Sequence, residues 1–152
     1  MPRIEQVAVG ELRSLVVHGS DYPTRDGTAI RDYVHVVDLA EAHVKALEAL
    51  ERRRASFVAN LGSERGHTVR EIVAAFEAAT GRRIAVVRGP RREGDVAELW
   101  ASAARARTLL GWAARRTLVQ MCEDALRWRC RRGQAPEAPR RQPAVARVPE
   151  TL

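Results

Sequence analysis

Two arginine-containing segments carry the side chains best suited to binding an anionic ligand. Arg31 follows the small, flexible residues 27–29, and Arg92 follows the turn-forming pair 89–90, with Asp95 three positions further on. An arginine on a loop at the end of a strand can donate two parallel hydrogen bonds to phosphate oxygens. A carboxylate beside it can accept hydrogen bonds from ribose hydroxyls. Together these residue types would suit a nucleoside diphosphate.

The same residues allow a second interpretation. Arg31, Arg91 and Arg92 would then be exposed arginines that pair with their neighbours Asp32 and Glu93. Exposed ion pairs contribute little to stability and require no ligand. Because short motifs are rarely specific, these residues taken alone favour the second interpretation.

Other arrangements that carry chemistry are missing from the sequence. No strand is followed by a glycine fingerprint for a dinucleotide, and there is no P-loop. Neither Tyr22 nor Tyr33 has a lysine four residues later, and no local Ser-His-Asp or Cys-His signature is found. The histidines are scattered and lack metal-ligand spacing. The sequence therefore predicts no catalytic residue, no bound cofactor and no metal ion for this chain alone.

Strands that alternate with helices predict an α/β fold. Helices are expected over residues 4–12, 38–52, 68–81, 103–110 and 117–131, and strands over 15–17, 30–36, 56–61 and 84–88. Three of the helices have capping boxes at their starts, formed by Asp38 with Glu41, Thr68 with Glu71 and Thr117 with Gln120. Residues 21–28 and 89–95 are rich in turn formers and are predicted to be loops.

The charge of the chain is typical of a nucleic-acid binder, but its composition is not. The 152 residues carry a net charge of +7, with a pI near 10.8. Lys45 is the only lysine, so 25 of the 26 basic residues are arginine, which is the bias of a GC-rich coding sequence. Aromatic residues make up 5% and are not interleaved with the arginines, so nucleic-acid binding is the least favoured function.

Domain organisation and compartment follow from the remaining composition. Residues 1–132 suit one folded domain, and 133–152, with four prolines among small and polar residues, are predicted to be a disordered tail. Cys122 and Cys130 lie roughly 12 Å apart along one predicted helix, too far for a disulfide. No apolar run is long enough to cross a membrane, and no secretory signal is seen. These features predict a cytoplasmic protein without membrane contact.

A series of motifs in fixed order carries a resemblance to a known family. The motifs are Asp21-Tyr22-Pro23-Thr24, Asp26-Gly27-Thr28, Ile30-Arg31-Asp32-Tyr33-Val34-His35-Val36, Asn60-Leu61-Gly62-Ser63, Thr68-Val69-Arg70-Glu71, Gly89-Pro90-Arg91-Arg92-Glu93-Gly94-Asp95 and Leu109-Leu110-Gly111-Trp112. This series is similar to the C-terminal part of bacterial UDP-glucose 4-epimerases, which are extended short-chain dehydrogenases/reductases. The resemblance runs from about Pro2 to Arg129.

The resemblance implies the C-terminal substrate-binding part of such an enzyme, an α/β fold that lacks the Rossmann NAD-binding half. Arg31 and Arg92 would bind the substrate diphosphate, and Asp95 would hold the uridine ribose. The expected pocket residues are Val16, Val17 and His18 around the uracil and Leu99 at the wall of the sugar pocket. His18 departs from the phenylalanine that is usual at this position.

Enzymes of this family are isomerases of galactose metabolism. They oxidise the sugar C4 hydroxyl of UDP-glucose or UDP-galactose with tightly held NAD, using a tyrosine and a lysine four residues later. Those residues precede the matched region in the family. The resemblance therefore implies a truncated epimerase that keeps UDP-sugar contacts but is not catalytically competent alone. The alternative is one subunit of a split epimerase, completed by a separate NAD-binding chain; a homodimer is also open. A related UDP-sugar dehydratase or decarboxylase fits the motifs at 22–28 less well.

Overall fold

The computed structural model describes residues 1–131 of the 152-residue chain. The helices are α1 (Pro2–Ala8), α2 (Val36–Arg53), α3 (Val69–Thr80), α4 (Ala104–Leu110) and α5 (Leu118–Arg129). The strands are β1 (Leu15–His18), β2 (Ile30–Asp32), β3 (Gly66–Thr68), β4 (Val86–Gly89) and β5 (Glu98–Leu99). The predicted tail over 133–152 lies outside the described residues.

The strands form two small sheets. In the first, β1 pairs in parallel with β4, so that Leu15 lies opposite Val86 and His18 opposite Gly89. In the second, β2 is central, antiparallel to β3 and parallel to β5. Parallel pairing requires a long connection between strands, and helices supply it here. The predicted α/β fold is confirmed.

The first core lies between α1, β1, α3 and α5. Val17 of β1, Ile72 and Phe76 of α3 and Cys122 of α5 are all buried in it. Helix α3 forms as predicted, with a capping box in which the hydroxyl of Thr68 accepts from the Glu71 amide at 3.1 Å and the Glu71 carboxylate accepts from the Thr68 amide at 3.2 Å.

The second core joins α2 to α4 and to the segment that follows α4. Small side chains on α2, Ala42 and Ala49, let it approach Ala106, Leu110 and Trp112 closely. The Trp112 indole Nε1 donates to the main-chain oxygen of Asp38 at 2.8 Å, so this aromatic side chain buries its polar atom with a partner. The second core therefore fixes the position of α2, the helix that follows β2 in the chain.

One predicted strand is wrong, and one predicted helix starts earlier than expected. Residues 56–61 are extended but pair with no strand among residues 1–131, since their apolar side chains pack against the second core instead. Helix α2 begins at Val36 rather than at Asp38, because the ring of His35 caps it by accepting from the Val37 amide at 3.0 Å. None of the helices in residues 1–131 is both long and apolar enough to cross a bilayer.

Asp38 lies inside α2 and is fully buried, so its carboxylate has a role other than capping. One oxygen accepts from the amides of Arg115 and Arg116 at 3.1 and 3.0 Å, and the other accepts from the Arg116 guanidinium. Burial acts to raise the pKa of Asp38, but these amides and the guanidinium hold it below its ordinary value. The carboxylate thereby fixes the segment between α4 and α5 to α2.

Replacing Asp38 should destabilise the fold strongly. We expect Asp38→Ala to lower the free energy of unfolding by about 3–5 kcal/mol, because it leaves two amides and a guanidinium without their buried acceptor. Urea denaturation followed by circular dichroism measures the change. The matched control is Glu41→Gln, which removes only the half-exposed pair with Arg116 and should cost less than about 1 kcal/mol. Equal losses for the two variants would contradict this account.

Candidate functional site

The candidate site lies where two parallel strands end side by side. Because β1 and β4 are parallel, their carboxyl ends, His18 and Gly89, meet at the same edge of the sheet. The amide of Gly19 donates to the carbonyl of Gly89 at 3.0 Å and holds the two exits together. Gly19 has φ +76°, and a Cβ there would lie 2.3 Å from the ring of Tyr22. The turn out of β1 therefore requires glycine.

Three of the predicted site residues converge beside this edge. The guanidinium of Arg31, on β2, has Nη2 3.6 Å from Oδ1 of Asp95, and Nε of Arg92 donates to the other oxygen, Oδ2, at 2.9 Å. The Asp95 side chain is 22% exposed, whereas that of Arg92 is 64% exposed. Two guanidinium groups thus share one partly buried carboxylate, which leaves the cluster with a net positive charge.

The alternative pairing of these arginines with their sequence neighbours is absent from the contacts of Arg31 and Arg92. Asp32 instead accepts from the amide and hydroxyl of Ser63, at 3.0 and 2.5 Å, and from the amide of Ala101 at 3.1 Å. Side chains alternate along a strand, so Asp32 and Arg31 leave opposite faces of β2. Asp32 ties the strand that carries Arg31 to the segments on both sides, a role that its position beside Arg31 does not reveal in sequence.

The other predicted pocket residues divide between surface and core. Val16 and His18 lie on the exposed face of β1, whereas Val17 points into the first core and could meet a ligand only through its backbone. Nδ1 of His18 donates to the carbonyl of Pro90 at 3.2 Å, which links the ends of β1 and β4 again. Leu99 is exposed on β5 and lies opposite Arg31 in the ladder.

The segment between β1 and β2 is an ordered loop that is held by hydrogen bonds to the start of α3. The carboxylate of Asp26 accepts from the Thr28 amide and hydroxyl at 2.8 and 2.6 Å and from the Thr68 hydroxyl at 2.5 Å. Arg25 donates two hydrogen bonds to Glu71, at 2.6 and 2.5 Å. The turn-forming composition predicts the loop, but not that Thr28 and Thr68 are buried in it.

Comparison with known proteins identifies the family. The sequence profile of the GDP-mannose 4,6-dehydratase family matches residues 1–125. The chain belongs to this family. Its resemblance to UDP-glucose 4-epimerases is also confirmed: it is 50% identical over 128 residues to the UDP-glucose 4-epimerase of Bacillus subtilis (strain 168).

Solved structures of UDP-glucose 4-epimerases have the same fold as this member of the family. The enzyme from Stenotrophomonas maltophila, with bound NAD and formylated UDP-arabinopyranose, is 48% identical and superposes with a TM-score of 0.85 over 88% of this chain. The Bifidobacterium longum enzyme in complex with NAD+ and UDP is 40% identical, with a TM-score of 0.80 over 88% of this chain. The chain spans only 40% of each of these structures and 38% of the Bacillus relative.

Those structures contain NAD, which dinucleotide-binding folds hold at a glycine-rich turn. A dinucleotide site needs a strand that passes through a glycine-rich turn into the N-terminus of a helix. Within residues 1–131, β1 leads through its loop into β2, and β4 leads into β5, so neither glycine-ended strand enters a helix. The amides at the start of α3 are already bound by its capping box. A glycine-rich strand–turn–helix unit of this type is not seen within residues 1–131.

Acidification should remove the stabilisation that Glu71 provides. Hydrogen bonds from Arg25, more than the Thr68 amide, lower the pKa of Glu71 from 4.5 to about 2, although burial acts against them. Because the folded pKa is the lower one, this stabilisation is complete above pH 4.5 and is lost as the pH falls towards 2. We expect the difference in unfolding free energy between the chain and Glu71→Gln to shrink over that range in urea titrations.

The control for this titration is Glu48→Gln, which removes an exposed carboxylate 3.9 Å from Arg52. Its unfolding free energy should follow that of the unmodified chain at every pH. A difference between the chain and Glu71→Gln that stays constant from pH 4.5 down to 2 would contradict the assignment.

Proposed function

We propose that this chain is the C-terminal, UDP-sugar-binding part of a UDP-glucose 4-epimerase, an isomerase that interconverts UDP-glucose and UDP-galactose. The observation that carries the proposal is the convergence of Arg31 and Arg92 on Asp95, beside the joined ends of β1 and β4. These residues come from segments about 60 positions apart in the sequence. The contact of Arg31 with Asp95 joins distant segments, and it brings the two guanidinium groups to one carboxylate.

The diphosphate would bind between the two guanidinium groups. Arg92 is largely exposed and lies on a loop, so it can turn from Asp95 to a phosphate oxygen without disturbing the core. Arg31 is held more firmly, because its Nη1 also donates to the carbonyl of Ile30 at 2.7 Å. Charge-assisted bonds of guanidinium to phosphate are among the stronger hydrogen bonds in proteins. Once Arg92 has turned, Asp95 is free to accept from the ribose hydroxyls.

The base and the sugar would extend from the diphosphate in opposite directions. The exposed face of β1, with Val16, the backbone of Val17 and the ring of His18, would contact the uracil. On the other side, Leu99 neighbours Arg31 in the second sheet and would form a wall of the sugar pocket. In this proposal, β1 contacts the uracil, and β5 contacts the sugar.

An exposed apolar surface is evidence for the proposal that a cofactor-binding half, outside the described residues, packs against this chain. The α2 apolar face consists of Val36, Ala40, Val44 and Leu47, spaced three and four residues apart on the side opposite the second core. Val36 is 73% and Leu47 63% exposed. Ala42 and Ala49 form the face of α2 that packs in the second core. A cavity of ≈ 570 Å³ beside Val36, between α1 and α5, continues this apolar surface.

A surface of this kind is typical of an interface rather than of an isolated domain. We propose that the NAD-binding half packs on the α2 apolar face and supplies NAD and the tyrosine–lysine pair. This observation also favours the second candidate, in which that half is a separate chain of a split epimerase in the cytoplasm. In either arrangement, the chain described here binds the UDP-sugar and does not catalyse epimerisation alone.

Binding of UDP tests the substrate site directly. We expect the chain to bind UDP in calorimetric titration, and Arg92→Ala to weaken that binding by about 10- to 100-fold, because a charged hydrogen-bond donor to the diphosphate is lost. The control is Arg83→Ala, which removes an arginine that is 93% exposed and outside the site, and should leave the affinity unchanged. Absence of UDP binding, or equal losses in both variants, would overturn the proposal.

Complementation tests the missing half. The chain with added NAD should not interconvert UDP-glucose and UDP-galactose, but adding the part of the Bacillus subtilis relative outside the matched 128 residues should produce turnover. Leu47→Glu should prevent it by placing a charge in the apolar interface. The control Val58→Glu changes a valine that is 76% exposed and is not part of the α2 apolar face, and it should retain turnover. Turnover by the chain alone would refute the proposal.

A further inference from the structure

Arg91 makes a set of contacts that the UDP-sugar site does not use. Its Nε donates to Oδ1 of Asp21 at 2.8 Å, and its Nη2 donates to the main-chain oxygen of the same residue at 2.6 Å. Its guanidinium carbon also lies 4.3 Å above the centre of the Tyr22 ring. Arg91, in the segment after β4, thus contacts two consecutive residues, Asp21 and Tyr22, in the segment after β1.

The geometry around Arg91 leaves its guanidinium little freedom. Tyr22 is buried beneath it, and Gly19 packs so closely that a Cβ there would lie 3.0 Å from the Cγ of Arg91. The hydrogen bond from Arg91 lowers the pKa of the Asp21 carboxyl, which keeps this pair charged at neutral pH. A guanidinium with two directed hydrogen bonds and an aromatic face is oriented more strictly than one in a simple ion pair.

Arg91 precedes Arg92, whose guanidinium faces away from this contact and towards Asp95. Because Arg91 and Arg92 are adjacent in the chain, holding Arg91 against Asp21 and Tyr22 limits the directions in which Arg92 can project. The backbone is further constrained on both sides: Pro90 accepts from His18 at 3.2 Å, and the amide of Asp95 donates to the carbonyl of Arg92 at 3.2 Å.

We propose that Arg91 is a positioning residue, which locks the segment after β4 onto Asp21 and Tyr22 so that Arg92 is presented to the diphosphate. The inference rests on the proposed UDP-sugar site and assigns Arg91 a role that involves no contact with the ligand. The locked loop lowers the entropy lost when Arg92 engages a phosphate, because its backbone is already ordered before the ligand arrives.

The test compares UDP affinities of full-chain variants by calorimetry. Arg91→Met should weaken UDP binding by about tenfold, as expected when the support of a charged ligand contact is removed. Arg91→Lys should restore part of the loss, since an ammonium can still bind Asp21 and face the ring. Arg83→Met is the matched control: it makes the same substitution at an arginine that is 93% exposed and outside the site, so it should leave the affinity unchanged.

A double-mutant cycle separates positioning from general destabilisation. If Arg91 acts through Arg92, the double variant Arg91→Met/Arg92→Ala should bind UDP no more weakly than Arg92→Ala alone. Hydrogen exchange of residues 89–95 should also be faster in Arg91→Met than in the unmodified chain without ligand. Unchanged UDP affinity in Arg91→Met, additive losses in the double variant, or unchanged exchange would overturn the positioning role. Failure of the unmodified chain to bind UDP would instead overturn the proposed function, and the positioning role with it.

Discussion

Parallel pairing of β1 with β4 is the constraint on which the site depends. Two parallel strands must end at the same edge of a sheet, so the chain segments that follow them emerge side by side even though about 70 residues separate them in sequence. Helices α2 and α3 lie in the intervening chain, and α3 packs in the first core together with Leu15 and Val17 of β1. The contacts of Arg91 with Asp21, and of Pro90 with His18, are consequences of this one pairing. Without it, the segment that follows β4 would have no fixed surface to lie on.

Several aspartate carboxylates connect distant segments of this basic chain. Asp26, Asp32 and Asp38 each accept from groups in distant segments, and each therefore ties together parts of the backbone that carry the site. Buried carboxylates with several donors are stable in this environment because their hydrogen bonds replace those of water. Asp95 differs, since its donors are two arginine side chains and one of them is largely exposed. In the proposed function, the diphosphate would displace Asp95 from Arg92 at this cluster.

The fold also explains why part of the surface is apolar. Helix α2 buries its alanines against α4 and Trp112, and this leaves its larger aliphatic side chains on the outside. That orientation is consistent with the share of its relatives that the chain spans, about 40% of each solved structure. The proposed substrate site and the exposed α2 apolar face are carried by the same chain, and the proposed division of labour between two halves rests on that arrangement.

The sequence by itself determined the elements whose hydrogen bonds close within a few residues. Helix α3 could be predicted from Thr68 and Glu71, because a capping box is local, and the arginine motifs and their family resemblance could be recognised without coordinates. The start of α2 could not, because the side chain of Asp38 binds Arg116, 78 positions away, rather than its own helix. The segment 56–61 has the composition of a strand, but a strand exists only where a partner is placed beside it. The meeting of Arg31 and Arg92 at Asp95 was likewise decided by strand pairing, a long-range contact that no local pattern encodes.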